Sequence, residues 1–326
     1  MNIAITGITG SGGSYLADYI LEEVPEVANV WGTTRWHSTS NQKNISRHAD
    51  RINLVECDLS DLSATIRFLS AAQPDLIFHL AAYANVRTAF DNPLAVVANN
   101  VSSTHNILEA IRNLGIKPKF IMCSTSEVYG KVLANETPIK ETQSFNPASP
   151  YAASKAAQEM LCKAYFQSFD IPIIVTRMFT YINPRRIDLF ATSFAHQIAM
   201  IEAGLLGELR HGNLDSIRTL IDVRDAMECY WKVAQYGLSG EAYNLGGITS
   251  ASVGEILELL IAKTKISIVK KLDKGLLRPA DVTLQIPDCS KFLSLVEWKP
   301  KYSLSETLDL LLKEAREKVK SSNGMS

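Results

Sequence analysis

The sequence predicts an α/β protein, a doubly wound parallel sheet with a smaller α-rich lobe after it. Three observations carry this expectation. Short apolar runs recur at residues 2–6, 28–33, 52–56, 75–80, 118–123 and 171–176, with helix-patterned stretches between them. The first run breaks into a glycine-rich turn that opens an apolar-periodic stretch. Beyond residue 178 the alternation stops; Pro184, a helical stretch near 190–203 and shorter elements up to residue 320 follow. Regular alternation builds parallel sheets through right-handed crossovers, with helices on both faces. The implied division is residues 1–178, with a return segment about 213–245, as the sheet domain, and 179–212 with 246–326 as the second lobe.

The first element, Asn2-Ile3-Ala4-Ile5-Thr6, is a short buried strand. It leads through Gly7-Ile8-Thr9-Gly10-Ser11-Gly12-Gly13 into the helix-patterned run from Tyr15 to Leu21. Strand, glycine turn and helix are the context of a Rossmann-type dinucleotide fingerprint. Glycines permit the tight turn and close backbone approach, and the helix N-terminus receives the pyrophosphate. At the end of the second strand a carboxylate would bind the ribose diol of NAD, whereas an arginine accommodates the 2′-phosphate of NADP. Arg35 stands there, so NADP is expected rather than NAD, with Ser38 as a second phosphate ligand. Asp58, after the third strand, is placed to meet the adenine edge, with Leu59 beside it in the expected cofactor set. Leu80, Ala81, Ala82 and Tyr83 after the fourth strand, with Asn99, complete the expected cofactor set.

The fifth strand runs into Ser124-Thr125-Ser126-Glu127-Val128-Tyr129, and Tyr151-Ala152-Ala153-Ser154-Lys155 follows some two dozen residues later. Tyr and Lys at i and i+4 share one helix face, so the ammonium of Lys155 is expected to favour the anionic form of the Tyr151 phenol. A phenol titrates near about 10, and a base for alcohol oxidation at neutral pH needs such help. In an open α/β sheet ligands lie at the carboxyl ends of the strands. Gly7, Ala81, Ser124 to Glu127 and the segment after Arg177 all fall there, which implies one cleft.

Composition excludes several classes of function. With 326 residues, 46% hydrophobic content and a formal net charge of −1, the chain has the core of a globular protein and no field to attract nucleic acid or an anionic membrane. No apolar run approaches the roughly 18 residues of a membrane span, and no secretory pattern precedes the first strand, so a cytoplasmic protein is expected. Five widely spaced cysteines contain no C-x-x-C pair, and six histidines show no metal-ligand spacing. Reduced core thiols and no metal site are the expectation. Lys318 to Ser326 has the composition of a disordered tail.

With these residues in place, the chain resembles the extended short-chain dehydrogenase/reductases that act on nucleotide-activated sugars, over nearly its whole length. Thr6-Gly7-Ile8-Thr9-Gly10, Gly13 to Ala17, Ser124 to Glu127, Pro184-Arg185-Arg186, Gly212 to Asp215 with Arg218, and Arg278-Pro279-Ala280-Asp281-Val282 are similar to the GDP-mannose 4,6-dehydratase group. The resemblance implies C4 oxidation, loss of water across C5 and C6, and hydride return to C6. Tyr151 would be the base, with Lys155 beside it, both also meeting the cofactor. Thr125 would bond the reacting oxygen, Glu127 would remove the C5 proton, and Ser126 would help protonate the departing hydroxyl. Arg218 and Arg278 match positions that meet the diphosphate, and Arg185 would reach the nucleotide. Arg87, Ser126, Glu127, Thr180 and Asn183 complete the implied substrate set, for which a GDP-hexose is favoured.

Three departures from the family pattern stand out, of which the first two lie beside the substrate. Thr180 stands where Asn usually follows the phenylalanine, Thr219 replaces Asp after Arg218, and Ser103 takes a position commonly held by Gly. The alternatives left open are a GDP-4-keto-6-deoxy-mannose reductase, another epimerase or decarboxylase of the superfamily, and a non-enzymatic dinucleotide sensor. Relatives typically pair through the helices spanning 91–112 and 151–168, and some assemble further through the loop after Arg35. A homodimer or homotetramer is therefore implied.

Overall fold

The computed structural model describes residues 1–36 and 42–322. In chain order the first part comprises β1 Asn2–Thr6, α1 Ser11–Glu23, β2 Asn29–Thr34, β3 Ile52–Glu56, α2 Leu62–Ala72, β4 Leu76–His79, α3 Val86–Asp91, α4 Pro93–Leu114, β5 Lys119–Thr125, α5 Pro150–Phe169 and β6 Ile173–Met178. The second part comprises β7 Thr180–Ile182, α6 Phe190–Glu202, β8 Leu209–His211, β9 Ile217–Asp222, α7 Val223–Tyr236, β10 Ala242–Leu245, β11 Thr249–Ser252, α8 Val253–Ile261, β12 Lys270–Leu272, β13 Leu284–Gln285, α9 Ser290–Leu293 and α10 Leu304–Ser322.

Seven strands form one parallel sheet in the order β10-β6-β5-β4-β1-β2-β3. The order reverses between β1 and β4, and a crevice opens where the chain leaves the carboxyl ends of these two strands. Strand alternation divides the core. Ile3 and Ile5 point into the cluster with Leu16, Ile20 and Trp231, whereas Ala4 points to the opposite face with Phe68, Ile107 and Phe120. Both faces are covered by helices, which is why these strands are apolar throughout rather than alternating.

The second lobe has its own core, in which Phe194 and Ile198 of α6 meet Ile256 and Leu260 of α8 and Leu308, Leu311 and Leu312 of α10. It also holds short strands. β7, β9, β11 and β13 make a four-stranded sheet, and β8 pairs with β12. Of the return segment about 213–245, α7 packs with α1 in the sheet domain and β10 forms the edge of the large sheet, while β9 lies in the four-stranded one. The expected disordered tail is partly a helix instead. α10 runs to Ser322 because Leu308, Leu311, Leu312, Ala315 and Val319 recur at helical spacing and are buried, and Lys318 Nζ donates to the Pro184 carbonyl at 2.6 Å. No helix among the described residues is long and apolar enough to cross a membrane.

Candidate active site

The first turn is a cradle shaped by backbone. Gly7 has φ +69°, and a Cβ there would lie 2.9 Å from Ala81 Cα, so the turn after β1 sits directly against the chain leaving β4. A Cβ on Gly13 would fall 2.4 Å from the Gly7 carbonyl oxygen. Gly10 caps α1 without a side-chain bond, and Ser14 makes the first recorded helical bond, to the Gly10 carbonyl at 3.0 Å. The N–H groups of Ser11, Gly12 and Gly13 are thus left at the helix end, with the positive pole of its dipole.

Gly7, Thr9, Gly10, Ser11, Gly12, Gly13, Arg35, Asp58, Leu59, Leu80, Ala81, Ala82, Tyr83 and Asn99 line a single cleft over this cradle. Ser38 lies outside the described residues. Arg35 reaches across the opening, donating to Tyr83 Oη at 3.0 Å and Asn99 Oδ1 at 3.3 Å, with its guanidinium 4.9 Å from the Tyr83 ring centre. Asn100 fixes that wall. Its Oδ1 accepts from Tyr83 N at 2.7 Å and its Nδ2 donates to Ser154 Oγ at 2.9 Å, joining α4 to α5.

Thr33, Thr34, Cys57, Ala84, Ser103, Tyr181 and Arg186 line the same cleft and were not anticipated. Ser103 fits where a glycine is common because its hydroxyl turns back to the Asn100 carbonyl at 3.0 Å.

α5 starts sharply, with Pro150 in its first turn and the Ser149 hydroxyl accepting from Ala152 N at 3.1 Å. One face then buries Tyr151, Lys155, Glu159 and Cys162 beside the end of β5. Burial pushes the Tyr151 phenol up to about 12, against which Arg186 and a hydrogen bond with Thr125 act to lower it, while Glu127 raises it further. Among the charges that act on the phenol Arg186 lowers it most, and Lys155, expected to favour the anion, is buried one turn along the same helix face. Lys155 is 2% exposed, and burial pulls its ammonium down to about 8. Arg186 is held by its neighbours, donating to the Ala84 carbonyl at 2.8 Å and pairing with Asp188 at 3.1 Å.

Glu127 lies in a 3₁₀ turn, Ser126–Tyr129, whose start is capped when the Thr125 hydroxyl accepts from Glu127 N at 3.3 Å. Its carboxylate meets the second lobe. Arg278 Nη1 is 3.6 Å and Gln285 Nε2 is 3.5 Å from Glu127 Oε1. Arg218 is 7% exposed, and burial lowers its pKa, opposed by the charges of Glu127 and Asp281. Thr125, Glu127, Tyr151, Arg218 and Arg278 thus form one constellation, with Ser126 buried among them in sequence. Arg87, at the start of α3, donates to the Gly275 carbonyl and ties the two lobes together across it.

Other predicted substrate residues go elsewhere. Arg185 donates to Ser14 Oγ at 2.9 Å, pairs with Asp18 at 2.7 Å and stacks over Tyr15, so it fastens the second lobe to α1. Asn183 is fully buried and donates to the Ser11 carbonyl at 3.1 Å, bracing the cradle from behind. Thr180 is half-buried in β7 and makes no side-chain hydrogen bond among the described residues. Thr219 faces β11, its hydroxyl 2.7 Å from Ser250 Oγ.

Behind the site runs a buried polar chain. Arg177 pairs with Glu159 at 2.8 Å, Glu159 also accepts from Ser124 Oγ, and Arg177 Nη1 donates to Tyr129 Oη at 2.9 Å. A second chain links the buried His79 imidazole to Thr6 and Thr104, at 2.8 and 2.9 Å. Burial, with a smaller contribution from the Lys155 charge, drives the His79 pKa down to about 3, so the ring is neutral.

Comparison with known proteins agrees with this geometry. A sequence model of the family GDP-mannose 4,6 dehydratase matches residues 4–311. A GDP-mannose 4,6-dehydratase from Yersinia enterocolitica is 30% identical, covering 93% of this chain and 90% of its own. A GDP-6-deoxy-D-mannose reductase from Pseudomonas aeruginosa is 31% identical, over 76% of this chain and 82% of its own. Among solved structures, RMD from Pseudomonas aeruginosa complexed with NADPH superimposes with a TM-score of 0.82 at 24% identity, over 98% of this chain and all of that one. The family match runs from the first strand through the cleft and into the last helix, and the chain belongs to the GDP-mannose 4,6-dehydratase family, hydro-lyases of the extended short-chain dehydrogenase/reductase superfamily.

Proposed function

We propose that the protein is an NADP-dependent nucleotide-sugar 4,6-dehydratase that converts GDP-mannose to GDP-4-keto-6-deoxy-mannose. The observation that carries this reading is a carboxylate placed beside the phenol: Glu127, two residues after Thr125 at the end of β5 and contacted by Arg278 at 3.6 Å and Gln285 at 3.5 Å, stands where α5 brings Tyr151. Reduction of a ketone has no use for a carboxylate beside its phenol, whereas removal of a proton next to a ketone requires a base of that kind.

The cradle has room for a pyrophosphate and for nothing with a side chain in its way, since Cβ atoms at Gly7 and Gly13 would collide with backbone. Residues 1–178, with the return segment about 213–245, hold the dinucleotide in this account, and 179–212 with 246–326 hold the sugar nucleotide. A nicotinamide dinucleotide bound there supplies a carrier for the hydride taken from C4 and returned to C6. Arg35 favours NADP by answering the 2′-phosphate with a cation.

The remaining steps belong to the chain. Tyr151 Oη takes the proton of the C4 hydroxyl. Arg186 and the Lys155 ammonium favour the phenolate, and Thr125 bonds the phenol. Glu127 removes the C5 proton made acidic by the C4 ketone, and with Ser126 delivers a proton to the leaving C6 hydroxyl. Arg218, Arg278 and Arg87 answer the diphosphate, a role for which guanidinium geometry is suited. Pairing of two chains through α4 and α5, where Leu94 and Met160 are exposed, fits the same reading.

The reductase is the second reading, favoured by the 31% identity to the Pseudomonas protein. Glu127→Gln separates the two. In a dehydratase it abolishes release of the 4-keto-6-deoxy product while cofactor binding, followed by fluorescence, persists. Retained turnover would remove the carboxylate from the mechanism.

A further inference from the structure

The second lobe brings a buried amide to Glu127. Gln285 is 2% exposed, and the one hydrogen bond of its side chain among the described residues is the 3.5 Å contact from Nε2 to Glu127 Oε1. An amide removed from water costs free energy unless it is used. β13 is short, but it runs parallel to β9 with Gln285 opposite Arg218, so the pairing fixes where the amide stands.

Charged and titratable groups approach the same carboxylate from other elements. They are Tyr151 on α5, Arg218 on β9 and Arg278 in the segment between β12 and β13. Asp281 stands behind Arg218 at 4.0 Å and is itself fixed by Asn213 and Ser216, at 2.7 and 3.0 Å. Gln285 is the neutral donor in this set. Oε1 of Glu127 is shared between Gln285 and Arg278, while Oε2 makes no hydrogen bond among the described residues.

We propose that Gln285 is a positioning residue for Glu127, holding Oε1 so that Oε2 is presented to the C5 proton. The inference rests on the dehydratase reading. Arg278 is needed by the substrate diphosphate, and once it turns there Gln285 remains as the partner that keeps the carboxylate in one orientation. A guanidinium locked on the carboxylate would make it a weaker base, because an adjacent cation favours the anion; a neutral amide steadies it at less cost to basicity. Catalytic hydrogen bonds are often long before substrate binds and tighten in the complex, which suits a 3.5 Å contact in the free chain.

The test uses Gln285→Met, which keeps the length of the side chain and removes the donor. With GDP-mannose and NADP, the kcat for loss of water is expected to fall at least about tenfold, the effect of losing a hydrogen bond to a charged group, with KM within about twofold of wild type. Substrate deuterated at C5 is expected to give a larger isotope effect on kcat than in wild type, and substrate deuterated at C4 no larger one. A merely structural role would slow both steps and raise KM, and that result overturns the proposal, as does an unchanged kcat with unchanged isotope effects. If Gln285→Met does not fold, Gln285→Asn, which keeps the amide but shortens its reach, must shift the C5 isotope effect in the same direction. Wild-type protein that removes no water from any nucleotide sugar overturns the dehydratase reading itself and the proposal with it.

Discussion

Replacing Arg177 with methionine tests the frame on which the catalytic helix rests. The guanidinium side chain is 8% exposed and its Glu159 partner 2%, with Nε and Nη2 at 3.0 and 2.8 Å from Oε2. Nη1 also donates to the Glu141 carbonyl at 2.8 Å, and the guanidinium lies 4.7 Å from the Phe145 ring centre. Methionine fills much of the volume but leaves Glu159 buried without the guanidinium that pairs with it, the Lys155 ammonium one turn away being the remaining positive charge near it. Removal of one partner of such a pair costs about 3–5 kcal/mol. An unfolding entropy of about 2.1 cal/mol/K per residue gives roughly 0.7 kcal/mol/K for this chain of 326 residues, so the midpoint should fall by about 4–7 °C.

Differential scanning calorimetry at neutral pH reads this shift directly. The double variant Glu159→Gln/Arg177→Met removes the stranded charge and is expected to recover part of the loss, which a double-mutant cycle isolates. Because Glu159 lies one turn beyond Lys155 on α5, the single variant is also expected to lose turnover below its new midpoint. A midpoint within about 1 °C of wild type, or a double variant worse than the two singles combined, would refute the argument.

Two further predictions follow from the cleft. Arg186→Met removes the largest cationic influence on Tyr151, whose phenol burial already holds near about 12; since the anionic phenol is the active base, the rising limb of the pH–rate profile is expected to move to higher pH, and a limb that stays or moves down contradicts the assignment. Arg35→Ser removes the cation facing Tyr83 and Asn99, so affinity for NADP should fall at least about tenfold, as when one charge-assisted bond is lost, while affinity for NAD changes little. Isothermal titration with both dinucleotides measures the difference.

How much of this was legible in the sequence follows from what each signal depends on. The apolar runs fall on β2 to β6 within a residue or two because strands buried on both faces must be continuously apolar, and that is a local property. The glycine turn was readable for the same reason, since Gly7 and Gly13 are required by backbone distances within a short segment and its facing loop. The small sheet of β7, β9, β11 and β13 was not, because strands of two to six residues carry little or no periodicity. Neighbouring arginines on an irregular segment cannot be told apart by spacing. Arg185 was expected in the site and turns to α1, while Arg186 faces Tyr151. Gln285 gave no signal at all, as its place beside Glu127 depends on two segments 158 positions apart. The Tyr151 and Lys155 spacing predicted a shared face, which α5 has; which cation acts most on the phenol is set by tertiary packing.

The central claim is that this chain removes water from a nucleotide sugar. The direct measurement is incubation of purified protein with catalytic NADP and GDP-mannose, alongside UDP-, dTDP- and CDP-hexoses, followed by mass spectrometry. The account predicts a product of GDP-mannose lighter by one water, with no net consumption of cofactor. Unchanged masses throughout the panel, together with stoichiometric NADPH oxidation when a GDP-4-keto-6-deoxy sugar is supplied, would contradict it and make the protein a reductase.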